Sequence, residues 1–102
     1  MSKRVLLLRH DAGPDDDRVV SHLLLNGFVP DIRRPFAGEA LLGGSDDLAG
    51  TVIYGGIYNA DGTAEHPFLR EEYRWIESAM AAGTPLLGIC QGAQMIAHHL
   101  GA

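Results

Sequence analysis

The chain has 102 residues, of which 46% are hydrophobic and 21% charged, and its formal net charge is -5. This length allows at most one domain, and the negative charge argues against a nucleic-acid partner because no basic patch is available to neutralise phosphates. No apolar run approaches the roughly 20 residues that a membrane span requires, and the run after Arg4 is too short for a signal peptide. A single cysteine cannot form an internal disulfide, which favours a reducing, cytoplasmic location.

The first third of the chain predicts two strands separated by a helix. Residues 5–8 form a continuous apolar run, which is typical of a strand buried on both faces. Three aspartates at residues 15–17 open a helix that continues to about Asn26, and we interpret them as capping residues rather than as metal ligands. Residues 28–32 predict a second strand, and Pro30 within it indicates an edge position. The inner face of the helix is predicted to carry Val19, Val20, Leu23 and Leu24.

The middle of the chain predicts a loop, a third strand and a second loop. Residues 33–47 contain Pro35 and several glycines and predict a loop with one short helical turn at 39–42. Residues 51–54 predict the third strand, and an extended loop follows as far as residue 66.

The last third predicts a helix, a strand and a helix. Pro67 suits the first turn of a helix that Gly83 ends. Residues 86–89 predict a fourth strand, and residues 93–100 have helical spacing. The first of these helices is predicted to bury Leu69, Tyr73, Ile76 and Met80 and to expose Arg70, Glu71, Arg74 and Glu77. This alternation predicts an α/β fold with a parallel sheet and helices on both faces.

The only cysteine stands between the fourth predicted strand and the final helix, with Gly88 two residues before it and Gly92 two residues after it. A nucleophile at the apex of a sharp strand-to-helix turn is typical of the nucleophile elbow of hydrolases. Side chains at the two glycine positions would collide in such a turn. The N–H groups that begin the helix favour a thiolate. The pattern therefore predicts that Cys90 is a nucleophile rather than an inert core residue.

Residues 84–94, Thr-Pro-Leu-Leu-Gly-Ile-Cys-Gln-Gly-Ala-Gln, resemble the nucleophile segment of class I glutamine amidotransferases. Residues 52–56 resemble the strand and Gly-Gly-Pro loop of that family, and residues 68–72 match the helix between the two segments. Residues 8–11 are similar to stand-alone members that resemble the GMP synthase glutaminase domain. The resemblance covers essentially the whole chain.

The resemblance implies a flavodoxin-like domain of which residues 1–102 would be the N-terminal part, truncated after the helix that follows the elbow. It implies that glutamine is the substrate, that Cys90 forms a thioester, that the N–H groups of Gly56 and Gln91 form the oxyanion hole, and that Gln94 contacts glutamine. A synthase domain or subunit would receive the ammonia, and the unpaired sheet edge left by truncation would favour oligomers. Neither a cofactor nor a metal is expected.

The chain departs from the family at two points. Ile57 stands where the family usually has proline after the two glycines, and none of the twelve residues after Cys90 is acidic, whereas the family has a catalytic His-x-Glu pair downstream. These residues alone are therefore expected to be inactive. Two other functions stay open: a gamma-glutamyl hydrolase or intracellular-protease-like cysteine hydrolase, which shares the elbow and fold, and a non-catalytic α/β protein that binds a small molecule or partner.

Overall fold

The computed structural model describes residues 3–41, 48–56, 58 and 62–101. Its strands and helices alternate along the chain, as the sequence predicts, with one short 3-10 turn among them. In chain order they are β1 (Arg4–Leu8), α1 (Arg18–Leu25), β2 (Val29–Arg33), the 3-10 turn (Pro35–Ala37), β3 (Gly50–Ile53), α2 (Phe68–Ala82), β4 (Leu86–Gly88) and α3 (Gln91–His99).

The strands form one parallel sheet in the order β2-β1-β3-β4 among the described residues. Because every strand runs in the same direction, the loops that follow their carboxyl ends lie along one edge of the sheet. β2 pairs only with β1, which confirms the edge position that Pro30 indicates. The loops that follow β1, β3 and β4 are therefore neighbours.

Helices cover both faces of the sheet, which confirms the predicted architecture. Successive side chains of β1 point to opposite faces, as the period of a strand requires. Leu6 and Leu8 pack in the cluster that includes residues of α2 and α3, whereas Val5 and Leu7 pack in the cluster that includes residues of α1. All four side chains are buried, as expected for a strand between two helical layers.

Helix α1 begins as the aspartates predict. The side chain of Asp17 accepts a hydrogen bond from the backbone N–H of Val20 at 3.0 Å, which is the capping interaction of a helix N-terminus. Val20 and Leu23 pack against the sheet, but the prediction for Leu24 is wrong, because its side chain is 59% exposed. Each residue advances about 100° around a helix, so Leu24 turns away from the face that Leu23 presents to the sheet.

The short helical turn lies earlier than predicted. It spans Pro35–Ala37, residues 39–41 are not helical, and residue 42 lies outside the described residues. Proline suits the first position of a turn because its φ is already near the helical value. Gly38 ends the turn with φ 91°, a conformation that favours glycine.

Helix α2 is bounded as predicted, by Pro67 before it and by Gly83 in the left-handed conformation after it. Leu69 and Ile76 are buried, and the four polar residues predicted for the outer face lie outside this buried set. The buried face also includes Glu72 and Trp75, which the predicted stripe omits. No helix in the described part of the chain is both long and apolar enough to cross a membrane.

Candidate active site

Cys90 joins β4 to α3 in a strained backbone conformation, with φ 52° and ψ −107°. It is the only non-glycine residue with a positive φ in the described part of the chain. The Cβ of an L residue makes such a conformation unfavourable, and strain of this kind is common at functional sites. Cys90 is exposed, and its carbonyl accepts the N–H of Gln94 at 3.1 Å, so the helix starts directly after the thiol. The predicted strand–turn–helix is present.

The two glycines of the turn are both required, but not for the same reason. A Cβ built on Gly88 would lie 2.5 Å from the backbone nitrogen of Ala93, on the opposite arm of the turn, as predicted. A Cβ on Gly92 would instead lie 2.1 Å from the carbonyl oxygen of Ile53. The prediction for Gly92 therefore names the wrong neighbour: its Cβ would meet the end of β3 and not the other arm.

The loop after β3 approaches the cysteine closely. A Cβ built on Gly55 would lie 3.1 Å from the Cβ of Cys90 and 3.9 Å from its Sγ. The N–H of Ile89 donates to the carbonyl of Ile53 at 2.9 Å, which holds the end of β4 beside the end of β3. The thiol and the Gly55–Gly56 backbone therefore border the same crevice.

Gly56 is enclosed by two side chains. A Cβ at this position would lie 2.6 Å from the Cβ of His10 and 2.8 Å from the Oε1 of Gln91. Only glycine fits without moving a neighbour. The backbone N–H of Gln91 is the first of α3, where a helix leaves its N–H groups without intrahelical acceptors.

The side chain of Gln91 has a structural role that the sequence does not reveal. It is buried, with 3% of its surface exposed, and its Oε1 accepts the backbone N–H of Tyr58 at 3.0 Å. Its Nε2 lies 3.7 Å from the Sδ of Met95. Gln91 therefore ties the loop after β3 to the start of α3. Ile57, the departure from the family's Gly-Gly-Pro pattern, lies outside the described residues.

A second buried pair lies beside this loop. The side chains of His10 and Glu72 are both fully buried, with His10 Nε2 2.7 Å from Glu72 Oε1 and His10 Nδ1 2.8 Å from the carbonyl oxygen of Tyr54. Burial lowers the pKa of His10, but the hydrogen bond and negative charge of Glu72 outweigh it and raise that pKa above its ordinary value. The sequence places His10 near the crevice without a role, and it gives no sign that Glu72 is buried.

Gln94 is exposed in the first turn of α3, one turn after the thiol. The rings of His98 and His99 lie 5.8 and 6.3 Å from the ring of Tyr73, which belongs to α2. No group of three histidine, cysteine, aspartate or glutamate residues that could hold a metal ion is found among the described residues. The structure therefore brings Cys90, Gly56 and Gln91 together and leaves Gln94 on the exposed side of the same helix.

Comparison with solved structures places this architecture among known folds. A glutamine amidotransferase from Thermotoga maritima superposes with a TM-score of 0.89 and 32% sequence identity, over 96% of this chain and 43% of that chain. A GMP synthase component from Thermoplasma acidophilum superposes with a TM-score of 0.66 and 27% identity, over 97% of this chain and 45% of that one.

One curated relative is also similar. The glutamine amidotransferase-like protein YfeJ of Salmonella typhimurium is 35% identical over 79 residues, which cover 74% of this chain and 33% of that protein. The chain therefore spans about a third of the length of the curated relative and less than half of each solved structure. No protein-family model matches it.

Proposed function

Because the chain is class I glutamine amidotransferase-like and covers part of that fold, we propose that it carries the nucleophile and oxyanion hole of a site that hydrolyses glutamine. The observation that carries this proposal is the exposed Cys90 in a strained turn, directly beside the backbone of Gly55. An inert core cysteine needs neither the strain nor the exposure.

In the proposed reaction the thiolate of Cys90 attacks the side-chain amide carbon of glutamine, and the carbonyl oxygen becomes a tetrahedral oxyanion. The intermediate collapses when its nitrogen takes up a proton and leaves as ammonia, so a thioester remains on the sulfur. Water then attacks the thioester and releases glutamate and the free thiol. The first N–H groups of α3 favour the thiolate that starts this sequence.

The oxyanion donors in this proposal are the backbone N–H groups of Gly56 and Gln91. Two features support them: Gly56 lies between buried side chains that restrict its movement, and Gln91 opens α3 directly after the nucleophile. Each such donor stabilises a transition state by about 2.7–4 kcal/mol. We assign Gln94, exposed one turn from the thiol, to contact with the bound glutamine.

The proton that ammonia requires must come from a group outside this set. No acidic residue follows Cys90 in the sequence, so these 102 residues hold no His-x-Glu pair after the nucleophile. We propose that residues 1–102 alone do not turn over glutamine, and that a synthase domain or subunit receives the ammonia. A cytoplasmic location suits the proposal, because the reducing environment keeps the thiol free.

The test uses the natural protein that carries this sequence, a diazoketone analogue of glutamine, and peptide mapping by mass spectrometry. The thiolate displaces nitrogen gas from the protonated analogue and becomes alkylated, so we expect one adduct on Cys90 and ammonia release from free glutamine. Both should be lost in Cys90→Ser. Labelling elsewhere would contradict the proposal, and cleavage of gamma-glutamyl peptides without ammonia release from glutamine would assign a gamma-glutamyl hydrolase. Binding without any adduct would indicate a non-catalytic protein.

A further inference from the structure

The buried His10–Glu72 pair takes no part in the reaction proposed above, yet it lies directly beside the loop after β3 that carries Gly56, here called the oxyanion loop. Both side chains are fully buried, and Glu72 Oε2 has no hydrogen-bond partner among the described residues. Replacing such a pair with apolar residues of similar volume is often neutral or stabilising. Stability alone is therefore a weak reason for this pair.

The contacts of His10 connect the pair to the oxyanion loop at two points. Its Nδ1 lies 2.8 Å from the carbonyl oxygen of Tyr54, the first residue after β3, and its Cβ adjoins Gly56. Because a carbonyl oxygen can only accept, Nδ1 must carry a proton and donate it. The side chain of Gln91 closes the loop from the other side. The backbone of Gly56 is therefore confined between the end of β1 and the start of α3.

Resting on the proposed function, we propose that His10 is a positioning residue for the oxyanion hole. Glu72 fixes the plane of the imidazole through Nε2, the imidazole holds the carbonyl of Tyr54 through Nδ1, and the N–H of Gly56 is thereby kept at its place beside the thiol. Neither His10 nor Glu72 touches the reacting atoms in this arrangement.

The two ring nitrogens can be tested separately, because amide side chains imitate them one at a time. Asparagine places its NH₂ group where histidine has Nδ1, so His10→Asn can keep the hydrogen bond to Tyr54. Glutamine reaches to the place of Nε2, so His10→Gln can keep the contact with residue 72 but not the one with Tyr54. Both variants are made together with Glu72→Gln, which avoids leaving a buried carboxylate unpaired.

The experiment measures kcat and KM for glutamine in the natural protein that carries this sequence, and the rate of Cys90 alkylation by iodoacetamide. Iodoacetamide is attacked at a saturated carbon and forms no oxyanion, so it reports the availability of the thiolate alone. A misplaced donor can cost about 10²-fold in rate. We expect kcat of the His10→Gln/Glu72→Gln protein to fall by about that factor, with KM changed by less than about threefold. The His10→Asn/Glu72→Gln protein should have a kcat about tenfold higher than that of the first double variant.

Iodoacetamide alkylation should proceed at the same rate in both double variants, and His22→Gln, at an exposed histidine of α1, should leave every measurement unchanged. Equal kcat values in the two double variants, or alkylation that falls in parallel with kcat, would overturn the positioning role. Either result leaves Cys90 labelling by the diazoketone in the unsubstituted protein intact. Absence of that labelling would instead overturn the proposed function, and the positioning role with it.

Discussion

Gly92 and Ile53 are in direct backbone contact: a Cβ on Gly92 would lie 2.1 Å from the carbonyl oxygen of Ile53. The same oxygen accepts the N–H of Ile89 at 2.9 Å. The first turn of α3 thus rests on the end of β3, and the thiol is held at a fixed height above the sheet by two backbone segments rather than by side chains.

We expect Gly92→Ala and Gly88→Ala to lose both stability and activity. Helix propensity alone would make Gly92→Ala stabilising by up to about 1 kcal/mol. The contacts predict the opposite sign, because the nearest neighbours are backbone atoms that can only move with their strands, and such overpacking costs about 1–3 kcal/mol. Thermal unfolding would measure this. Gly13→Ala is the control, because its Cβ would meet nothing closer than 3.4 Å; a Gly92→Ala protein more stable than this control would contradict the prediction.

Strain at Cys90 predicts an unusual order of stability among its variants. Cys90→Ala should abolish glutamine hydrolysis and leave the fold intact, since it removes only an exposed sulfur. Cys90→Gly should have a higher free energy of unfolding than Cys90→Ala, by about 1 kcal/mol, because glycine accepts φ 52° without a Cβ clash. Denaturant titration of the two proteins would measure the difference. An alanine variant that is the more stable of the two would show that the turn is relaxed.

The side chain of Gln91 should matter as much as its backbone. Gln91→Leu removes the acceptor of the Tyr58 N–H, which leaves a donor in a part-buried position without its partner, at a cost of about 1–3 kcal/mol. We also expect kcat for glutamine to fall, because the loop beside Gly56 loses its tie to α3. Gln94→Leu is the matched control for stability, being the same change at an exposed position of that helix. Equal unfolding free energies in the two variants would contradict this role.

The raised pKa of His10 predicts that stability falls as the pH rises. The folded chain holds the His10 proton more tightly than the unfolded chain, whose histidine has an ordinary pKa of 6.5. The contribution is therefore complete below about pH 6.5 and is lost as the pH rises through the folded pKa, with a slope of at most about 1.4 kcal/mol per pH unit. Unfolding of the parent and of His10→Asn/Glu72→Gln would be compared between about pH 6 and 9. Identical slopes would refute the prediction, and His22→Asn should keep the parent's slope.

The strand-to-helix turn could be predicted because its signals are local. Gly88, Cys90 and Gly92 are close together in the sequence, and the apolar runs on either side set the strand and the helix. The edge position of β2 follows in the same way from Pro30, since proline cannot donate to a strand on a second side.

The His10–Glu72 pair could not be predicted because its two members are distant in sequence. A glutamate on a helix ordinarily faces solvent, as Glu71 does, and only the partner that follows β1 explains why Glu72 is buried instead. Trp75 is similar: its Nε1 donates to the Oγ1 of Thr51 on β3 at 3.0 Å, which satisfies a buried polar atom that no local pattern reveals.

The long-range contacts of His10 have a consequence for how the chain folds. The imidazole joins the end of β1 to the residue that follows β3 and to α2, at sequence separations of 44 and 62 residues. Contacts across such separations form slowly, because the intervening chain must first be ordered. The oxyanion loop therefore reaches its final geometry only in the last cooperative step of folding, and a partly folded chain would expose a thiol that reacts with simple alkylating reagents before it can recognise glutamine.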